Sequence, residues 1–399
     1  MNRQLKSLTA ILVLLVSSLA VTLFALEGWL VMAQINAKSI AQFVPGKGTT
    51  YVPGAYYKHV AEGFSEGHMN SYGFRDYERT LQKPENTYRI VVLGNSYTEA
   101  FQVALQDSFP AVLERKLNEA SHSRKYEVLN LGQSGFGTAD EFVRYAKFGV
   151  DFSPDLVILA FVTGADFRTN SRTFNTELSY FFDVDPEGNV ALDESRFVEY
   201  GKTYSTGKRL FQLLKQHSYL ASLTSEWAFK LRFEQRQQKL ENATAVKAND
   251  GLKARVPESS SLNIYLPNMG PRWKDAVSVT EAGLRKIRDD VESHGSQFLL
   301  VTLTNAEQVH PDVGQNLRDS YSDNFDFDQP ERIIARFAES SQINHLELVP
   351  AFRDYHLKTG EYLHGFGLGK DGHWNEKGHR LAAEKIFEYV NGKNGFQIH

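Results

Sequence analysis

The sequence predicts an α/β domain with a doubly wound parallel sheet, preceded by one apolar N-terminal helix. Short apolar runs rich in β-branched residues alternate with segments of helical spacing from about residue 87 onward. Small-residue motifs follow several of these runs, at the positions where parallel strands end and helices begin. An apolar stretch near the N-terminus has about the length that crosses a bilayer.

The N-terminal stretch predicts a membrane anchor over residues 1–37. Arg3 and Lys6 precede an uncharged run that begins at Ser7, and Glu27 ends it. The positive flank predicts an N-terminus in the cytoplasm and a remainder outside it, periplasmic in a Gram-negative-type cell. A cleaved signal peptide is the alternative, but no clean small-x-small site follows the run, which favours an uncleaved anchor.

Residues 38–87 are rich in Gly, Tyr and Phe and are predicted to connect the anchor to a domain over residues 88–392. Within that domain the apolar runs predict five buried strands, at Arg89–Leu93, Tyr126–Leu131, Leu156–Phe161, Gln297–Leu303 and His345–Val349. Helical spacing predicts helices over residues 109–120, 140–148, 279–293, 330–340 and 375–391, the last with Asn375 as N-cap.

An insertion over about residues 165–277 separates the third and fourth predicted strands. It contains a predicted hairpin around Pro-Glu-Gly-Asn and a predicted helical stretch from Lys208 to Leu240. The predicted buried side of that stretch consists of Leu210, Leu213, Leu214, Leu220 and Leu223. A polar stretch over residues 241–261 follows. Because the insertion leaves the sheet beside the third loop, we expect it to influence the choice of substrate.

Composition excludes several classes of function. The formal net charge is −4 with no run of like charges, which does not favour nucleic-acid binding. The chain has no cysteine, so disulfides, a thiolate nucleophile and cysteine-ligated metal sites are excluded. No cofactor and no metal site are predicted.

Three motifs carry candidate chemistry. Gly94-Asn95-Ser96 follows the first strand, and Ser96 at a helix start could be a nucleophile or merely an N-cap. Gly135 lies in the loop after the second strand and could bring its N–H to a substrate oxygen, or could serve only a flexible turn.

The third motif is Asp371-Gly372-His373, ahead of the last helix. A serine nucleophile needs a base and that base needs a carboxylate, so His373 is the predicted base and Asp371 its predicted partner. His379 falls inside the helix and is interpreted as structural. A metal site is the other interpretation of Asp-x-His, but no further ligand pair has suitable spacing.

These motifs, with Gly164-Ala165-Asp166 after the third strand, resemble in order and position the four signature blocks of the SGNH (GDSL-like) hydrolase superfamily. NSYGFRDYE at 70–78 and DGHWNEKGHRLAAE near the end resemble segments of its membrane-anchored bacterial members. The resemblance covers about residues 70–392, without most of the insertion. It implies a three-layer α/β/α sandwich with a five-stranded parallel sheet in flavodoxin-like order. It also implies a Ser96–His373–Asp371 triad and an oxyanion hole from the N–H groups of Ser96 and Gly135.

Two positions depart from the family pattern. Asn95 stands where the family has Asp, and Ala165 stands where it has an Asn that donates to the oxyanion. Thr163, Arg168 and Asn170 are the local candidates to replace that donor.

Three functions remain open from the sequence. The first is a serine esterase acting through an acyl-enzyme on an acyl ester outside the cytoplasm. The second is an O-acyltransferase that acetylates a cell-envelope polysaccharide, similar to the alginate acetylation proteins. The third is a non-catalytic carbohydrate-binding protein with a degenerate site, which the set of Ser96, His373 and Asp371 argues against.

Overall fold

The computed structural model describes residues 2–33, 39–225, 227–228, 231 and 253–392. Its strands are β1 Ala41–Val44, β2 Gly48–Tyr51, β3 Tyr56–His59, β4 Ser65–His68, β5 Thr87–Gly94, β6 Lys125–Asn130, β7 Leu156–Val162, β8 Phe181–Val184, β9 Val190–Asp193, β10 Gln297–Leu303 and β11 His345–Glu347. Its helices are α1 Asn2–Ala33, α2 Ser96–Glu99, α3 Phe109–Ala120, α4 Thr138–Arg144, α5 Asp166–Asn170, α6 Ser195–Thr203, α7 Thr206–His217, α8 Pro271–Ser293, α9 Ala306–Val309, α10 Pro311–Ser320, α11 Gln329–Ser340, α12 Val349–Thr359 and α13 Glu376–Val390. Residues 219–225 are also helical.

The core is a five-stranded parallel sheet in the order β11-β10-β7-β5-β6. Counted along the chain, this is the flavodoxin-like order 2-1-3-4-5. Alternate residues of β5 serve opposite faces, since Val91 and Leu93 join one apolar cluster and Ile90 and Val92 the other. The predicted three-layer sandwich is therefore confirmed.

Each layer of helices covers one face of the sheet. Helices α8 and α11 pack on the face of Val91 and Leu93, and α3, α12 and α13 pack on the opposite face. The predicted strands and helices agree with the structure except at their ends. Helix α8 begins at Pro271, eight residues before the prediction, and β11 ends at Glu347, because α12, which the sequence analysis missed, follows directly.

The insertion agrees with its prediction at the hairpin and differs from it in the helical stretch. Strands β8 and β9 form the expected antiparallel hairpin, packed on α8 through Phe182. The predicted helical stretch begins with α7 but is interrupted at Ser218. Leu210, Leu213 and Leu214, predicted on its buried side, are exposed instead. Residues 232–252, which hold the rest of that stretch and part of the polar segment, lie outside the described residues.

The segment predicted as a connector is folded against the domain. It forms two antiparallel hairpins, β1–β2 and β3–β4, that the sequence analysis missed. The buried guanidinium of Arg75 donates hydrogen bonds to the hydroxyl of Tyr57 at 3.0 Å and to the carbonyl oxygens of Glu99 at 2.9 Å and Val103 at 2.5 Å. Arg75 thereby fixes the β3–β4 hairpin beside the loop that follows β5.

Among the described residues, one helix is long and apolar enough to cross a membrane. The segment Ser7–Met32 of α1 has a mean hydropathy of 2.5, and Leu30 is its one buried residue.

Candidate active site

Ser96 lies at the carboxyl end of β5, where the chain turns sharply into α2. Gly94 has φ +158°, and a Cβ there would lie 2.2 Å from the hydroxyl oxygen of Thr98, so only glycine fits. Asn95 is the N-cap, and its side-chain oxygen accepts from the N–H of Tyr97 at 3.1 Å. The turn presents the Ser96 side chain at the edge of the sheet.

His373 meets Ser96 across this edge. The Nε2 atom of His373 lies 2.8 Å from Ser96 Oγ. The Tyr97 ring packs beside the imidazole at 4.8 Å, and its hydroxyl donates to the carbonyl oxygen of Gly372 at 3.0 Å. The structure therefore brings together two of the three residues that the sequence predicts for a triad.

The carboxylate on the far side of His373 belongs to Glu62, in the loop between β3 and β4. Its Oε2 accepts from Nδ1 of His373 at 2.6 Å, and its Oε1 accepts from the His373 backbone N–H at 2.6 Å. Burial raises the pKa of Glu62, but the hydrogen bonds and charge of His373 outweigh burial and hold it below its usual value. An ionised Glu62 assigns the ring proton to Nδ1 and leaves Nε2 free to accept the proton of Ser96.

Asp371, the predicted orienting carboxylate, does not occupy this position. It is exposed, and within the described chain its side chain makes no hydrogen bond or ion pair. Gly372, at φ +91°, lies between Asp371 and His373 in the sequence. A Cβ at Gly372 would lie 2.2 Å from Glu62 Oε1, so glycine gives Glu62 its access to His373.

His379 is placed as the sequence analysis interpreted it. It lies buried in α13, and its Nδ1 accepts from the N–H of Phe109 at 3.3 Å. Burial lowers its pKa to about 3, so the ring stays neutral in the core.

Two backbone N–H groups are available near Ser96. Those of Ser96 and Gly135 donate to no group of the described protein, and Gly135 has φ +82° with no atom near its missing Cβ. Both N–H groups lie in loops at the carboxyl edge of the sheet, after β5 and β6. They are the donors that the sequence predicts for an oxyanion hole.

In the third loop, the N–H groups of Gly164 and Ala165 are both engaged within the protein. The N–H of Gly164 donates to Asn305 Oδ1 at 3.1 Å, and the N–H of Ala165 donates to the carbonyl oxygen of Val162 at 3.0 Å.

The three side chains expected to replace the missing donor are engaged elsewhere. Thr163 donates to Glu331 at 2.6 Å, and Arg168 donates to the carbonyl oxygen of Ser259 at 2.8 Å. The side-chain amide of Asn170 donates to the hydroxyl of Thr138 at 2.7 Å. The replacement of the missing donor by one of these three side chains therefore stays a prediction.

Asn95 instead joins the first loop to the third. Its side-chain amide donates to Asp166 at 2.7 Å, and the other oxygen of Asp166 accepts from the N–H of Val162 at 2.7 Å. Burial raises the pKa of Asp166 to about 7, and the hydrogen bonds from Val162 and Asn95 oppose that shift. The two loops around Ser96 are thus locked in one arrangement.

An open depression of about 690 Å³ lies beside Glu62. It is lined by Ala61, Glu62, Gly63, Phe366, Gly367, Gly369, Asp371 and Gly372. Its lining includes neither Ser96 nor His373.

Comparisons with known proteins give weak similarity only. No model of a known protein family and no curated protein matches the sequence. Among solved structures, an acetyl xylan esterase is 14% identical with a TM-score of 0.40, over 76% of this chain and 99% of that one. The acetylxylan esterase Axe2 from Geobacillus stearothermophilus is 13% identical with a TM-score of 0.39, over 75% and 93%.

An α/β hydrolase from the metagenome of Lake Arreo is 12% identical with a TM-score of 0.39, over 78% and 97% of the two chains. Similarity at this level does not assign an activity, so the function must be argued from the site itself.

Proposed function

We propose that the protein is a membrane-anchored serine esterase of the SGNH type, with Ser96 as nucleophile, His373 as base and Glu62 as the carboxylate that orients it. The observation that carries this proposal is the continuous contact from Ser96 Oγ through both ring nitrogens of His373 to Glu62. A serine, an imidazole and a carboxylate in this order are the arrangement that activates a hydroxyl for acyl transfer.

The geometry supports a two-step reaction. His373 Nε2 takes the Ser96 proton as Oγ attacks the ester carbonyl carbon, and Glu62 stabilises the imidazolium that forms. The N–H groups of Ser96 and Gly135 bind the oxyanion. His373 then protonates the leaving alcohol, which gives an acyl-Ser96 enzyme, and water activated by His373 attacks this ester and releases the acid.

The same acyl-enzyme could pass its acyl group to a hydroxyl of a cell-envelope polysaccharide. The third loop favours this second candidate, because the N–H groups of Gly164 and Ala165 are engaged within the protein and position 165 has no Asn side chain. A missing donor slows each acyl transfer by a factor of about 10²–10³. A transferase tolerates slow attack by water, since its acyl-enzyme must last until the acceptor binds.

The apolar helix α1 supports the membrane part of the proposal. With the positive residues of the sequence on its N-terminal side, the catalytic domain would lie outside the cytoplasm, and an acyl ester or acylated polysaccharide there would be the substrate.

Mass spectrometry of the acyl adduct tests the proposal. Brief incubation of the full chain with an activated acetyl ester should add one acetyl group to the peptide that contains Ser96, and Ser96→Ala should abolish both adduct and turnover. Faster loss of the adduct with added glycan than with water alone would identify the transferase. Full turnover by a folded Ser96→Ala variant would refute both functions.

A further inference from the structure

Helix α7 carries its apolar side chains on the outside of the protein. Four large apolar residues are about half exposed: Leu210 at 59%, Phe211 at 50%, Leu213 at 51% and Leu214 at 49%. They follow helical spacing, so they form one continuous face.

The polar side of α7 is turned toward the protein instead. Gln212 accepts a hydrogen bond from the hydroxyl of Tyr204, and the side-chain nitrogen of Gln216 is buried. The carbonyl oxygen of Lys215 accepts from the N–H of Ser39 at 3.2 Å. This orientation is the reverse of that of a helix on a water-exposed surface, whose apolar face packs on the core.

The end of α7 is attached directly to the apolar helix α1. The Glu27 carboxylate of α1 accepts from Ser218 Oγ at 2.9 Å and from the N–H groups of Tyr219 at 2.7 Å and Leu220 at 3.0 Å. Leu30, one turn further along α1, is 5% exposed. The exposed face of α7 is therefore continuous with the surface from which α1 emerges.

The position of Glu27 along α1 matches the boundary of the hydrocarbon core of a bilayer. At 1.5 Å per residue, the uncharged stretch from Ser7 to Leu26 is about 30 Å long, which is the thickness of the hydrocarbon core. Glu27 then lies at its outer boundary, and the carboxyl end of α7, which directly precedes Ser218, lies at the level of the lipid headgroups.

The charges of α7 suit the same surface. Lys208, Arg209 and Lys215 border the apolar face, and the helix contains no acidic residue. A helix with apolar residues on one side and basic residues beside them binds a lipid surface by burying the first and attracting anionic headgroups with the second.

We propose that α7 is an interfacial helix that lies on the bilayer in which α1 is anchored. Leu210, Phe211, Leu213 and Leu214 enter the headgroup–acyl boundary, and α1 and α7 together hold the catalytic domain at a fixed height and tilt. This inference rests on the membrane anchor of the proposed function.

Single-cysteine labelling of the full chain in lipid nanodiscs tests the proposal, and the absence of native cysteine makes it direct. An environment-sensitive fluorophore is placed at Leu213→Cys, at Phe24→Cys within α1, and at Ser293→Cys. Ser293 ends α8 at the amino edge of the sheet. The β1–β2 hairpin lies at the opposite, carboxyl edge, where Gln133 donates to the carbonyl oxygen of Thr49 in β2. The Ser293 probe therefore labels the edge of the sheet away from this hairpin. Lipids carrying a spin label on the acyl chain serve as quencher.

The Leu213 and Phe24 probes should be quenched to a similar extent, and the Ser293 probe should not. Quenching at Phe24 without quenching at Leu213 would overturn the proposal while leaving the anchor intact. A Leu213 probe shielded from both the lipid quencher and an aqueous quencher would also overturn it, since another part of the chain or a second copy would then cover α7. No quenching at Phe24 would instead remove the membrane anchor itself, and this inference with it.

Discussion

Replacement of Glu62 by Gln tests the residue that occupies, in the structure, the place predicted for Asp371. The side chain is isosteric, but Glu62 accepts two hydrogen bonds from His373, at 2.6 Å from Nδ1 and 2.6 Å from the backbone N–H. An amide can accept only one of them. If its NH₂ group faces Nδ1, the ring proton must move to Nε2, and His373 can no longer accept the proton of Ser96.

If the NH₂ group instead faces the backbone N–H of His373, two donors meet and the loop must move. Both orientations disable the base. For the equivalent change in a serine triad the rate falls by about 10⁴, which is about 5 kcal/mol in activation free energy. We expect a loss of kcat of this order for Glu62→Gln, measured on p-nitrophenyl acetate with the full chain in detergent.

Asp371→Asn is the matched control. Its carboxylate is exposed and contacts neither His373 nor Ser96, so activity should stay within about twofold of the parent, as for an ordinary surface substitution. Melting temperatures of both variants show whether the fold is kept. A folded Glu62→Gln enzyme with most of its activity, or an Asp371→Asn enzyme that loses as much, would refute the assignment of Glu62.

Three further predictions concern the surroundings of the triad and the anchor. Gly372→Ala should lower kcat strongly, because the new Cβ would lie 2.2 Å from Glu62 Oε1. Gly367→Ala is the control and should lower stability alone, because Gly367 also has a positive φ, +62°, but has open space around its missing Cβ. Equal losses of kcat in the two variants would count against this reasoning. Ala165→Asn should raise kcat on a simple acetyl ester by up to about 10²-fold if the oxyanion hole lacks one donor, and an unchanged rate would show that the hole is complete without it. Reporter fusions after residue 45 should be active only outside the cytoplasm, and a cytoplasmically active fusion would reverse the topology.

The sequence analysis located the sheet and Ser96 because their signals are local. A buried parallel strand is a short apolar run, and the Gly94-Asn95-Ser96 turn follows such a run directly. The helix that begins after Asn375 was also predictable, since its N-cap and its apolar spacing lie in one segment. Each of these features is decided by interactions between residues near one another in sequence.

Glu62 could not be found in this way. It lies in a hairpin loop 311 residues before His373, and nothing in AEGFSEGH marks one carboxylate as a catalytic partner. Asp371 was preferred because it is the nearest carboxylate in sequence to His373. The signal that could have corrected this is Gly372, because a glycine beside the base leaves room for a carboxylate from another segment.

The separation of Glu62 from His373 has a consequence for synthesis of the chain. Because a protein is made and translocated from its N-terminus, Glu62 and Ser96 emerge early, and His373 is among the last residues to appear. A chain that stalls or is cut before residue 373 holds a nucleophile with no base. A recombinant fragment that starts at residue 88 would fail for the opposite reason, since it retains the base but not the carboxylate that orients it. The proposed activity would thus report a chain that is intact from the β3–β4 hairpin to the last helix.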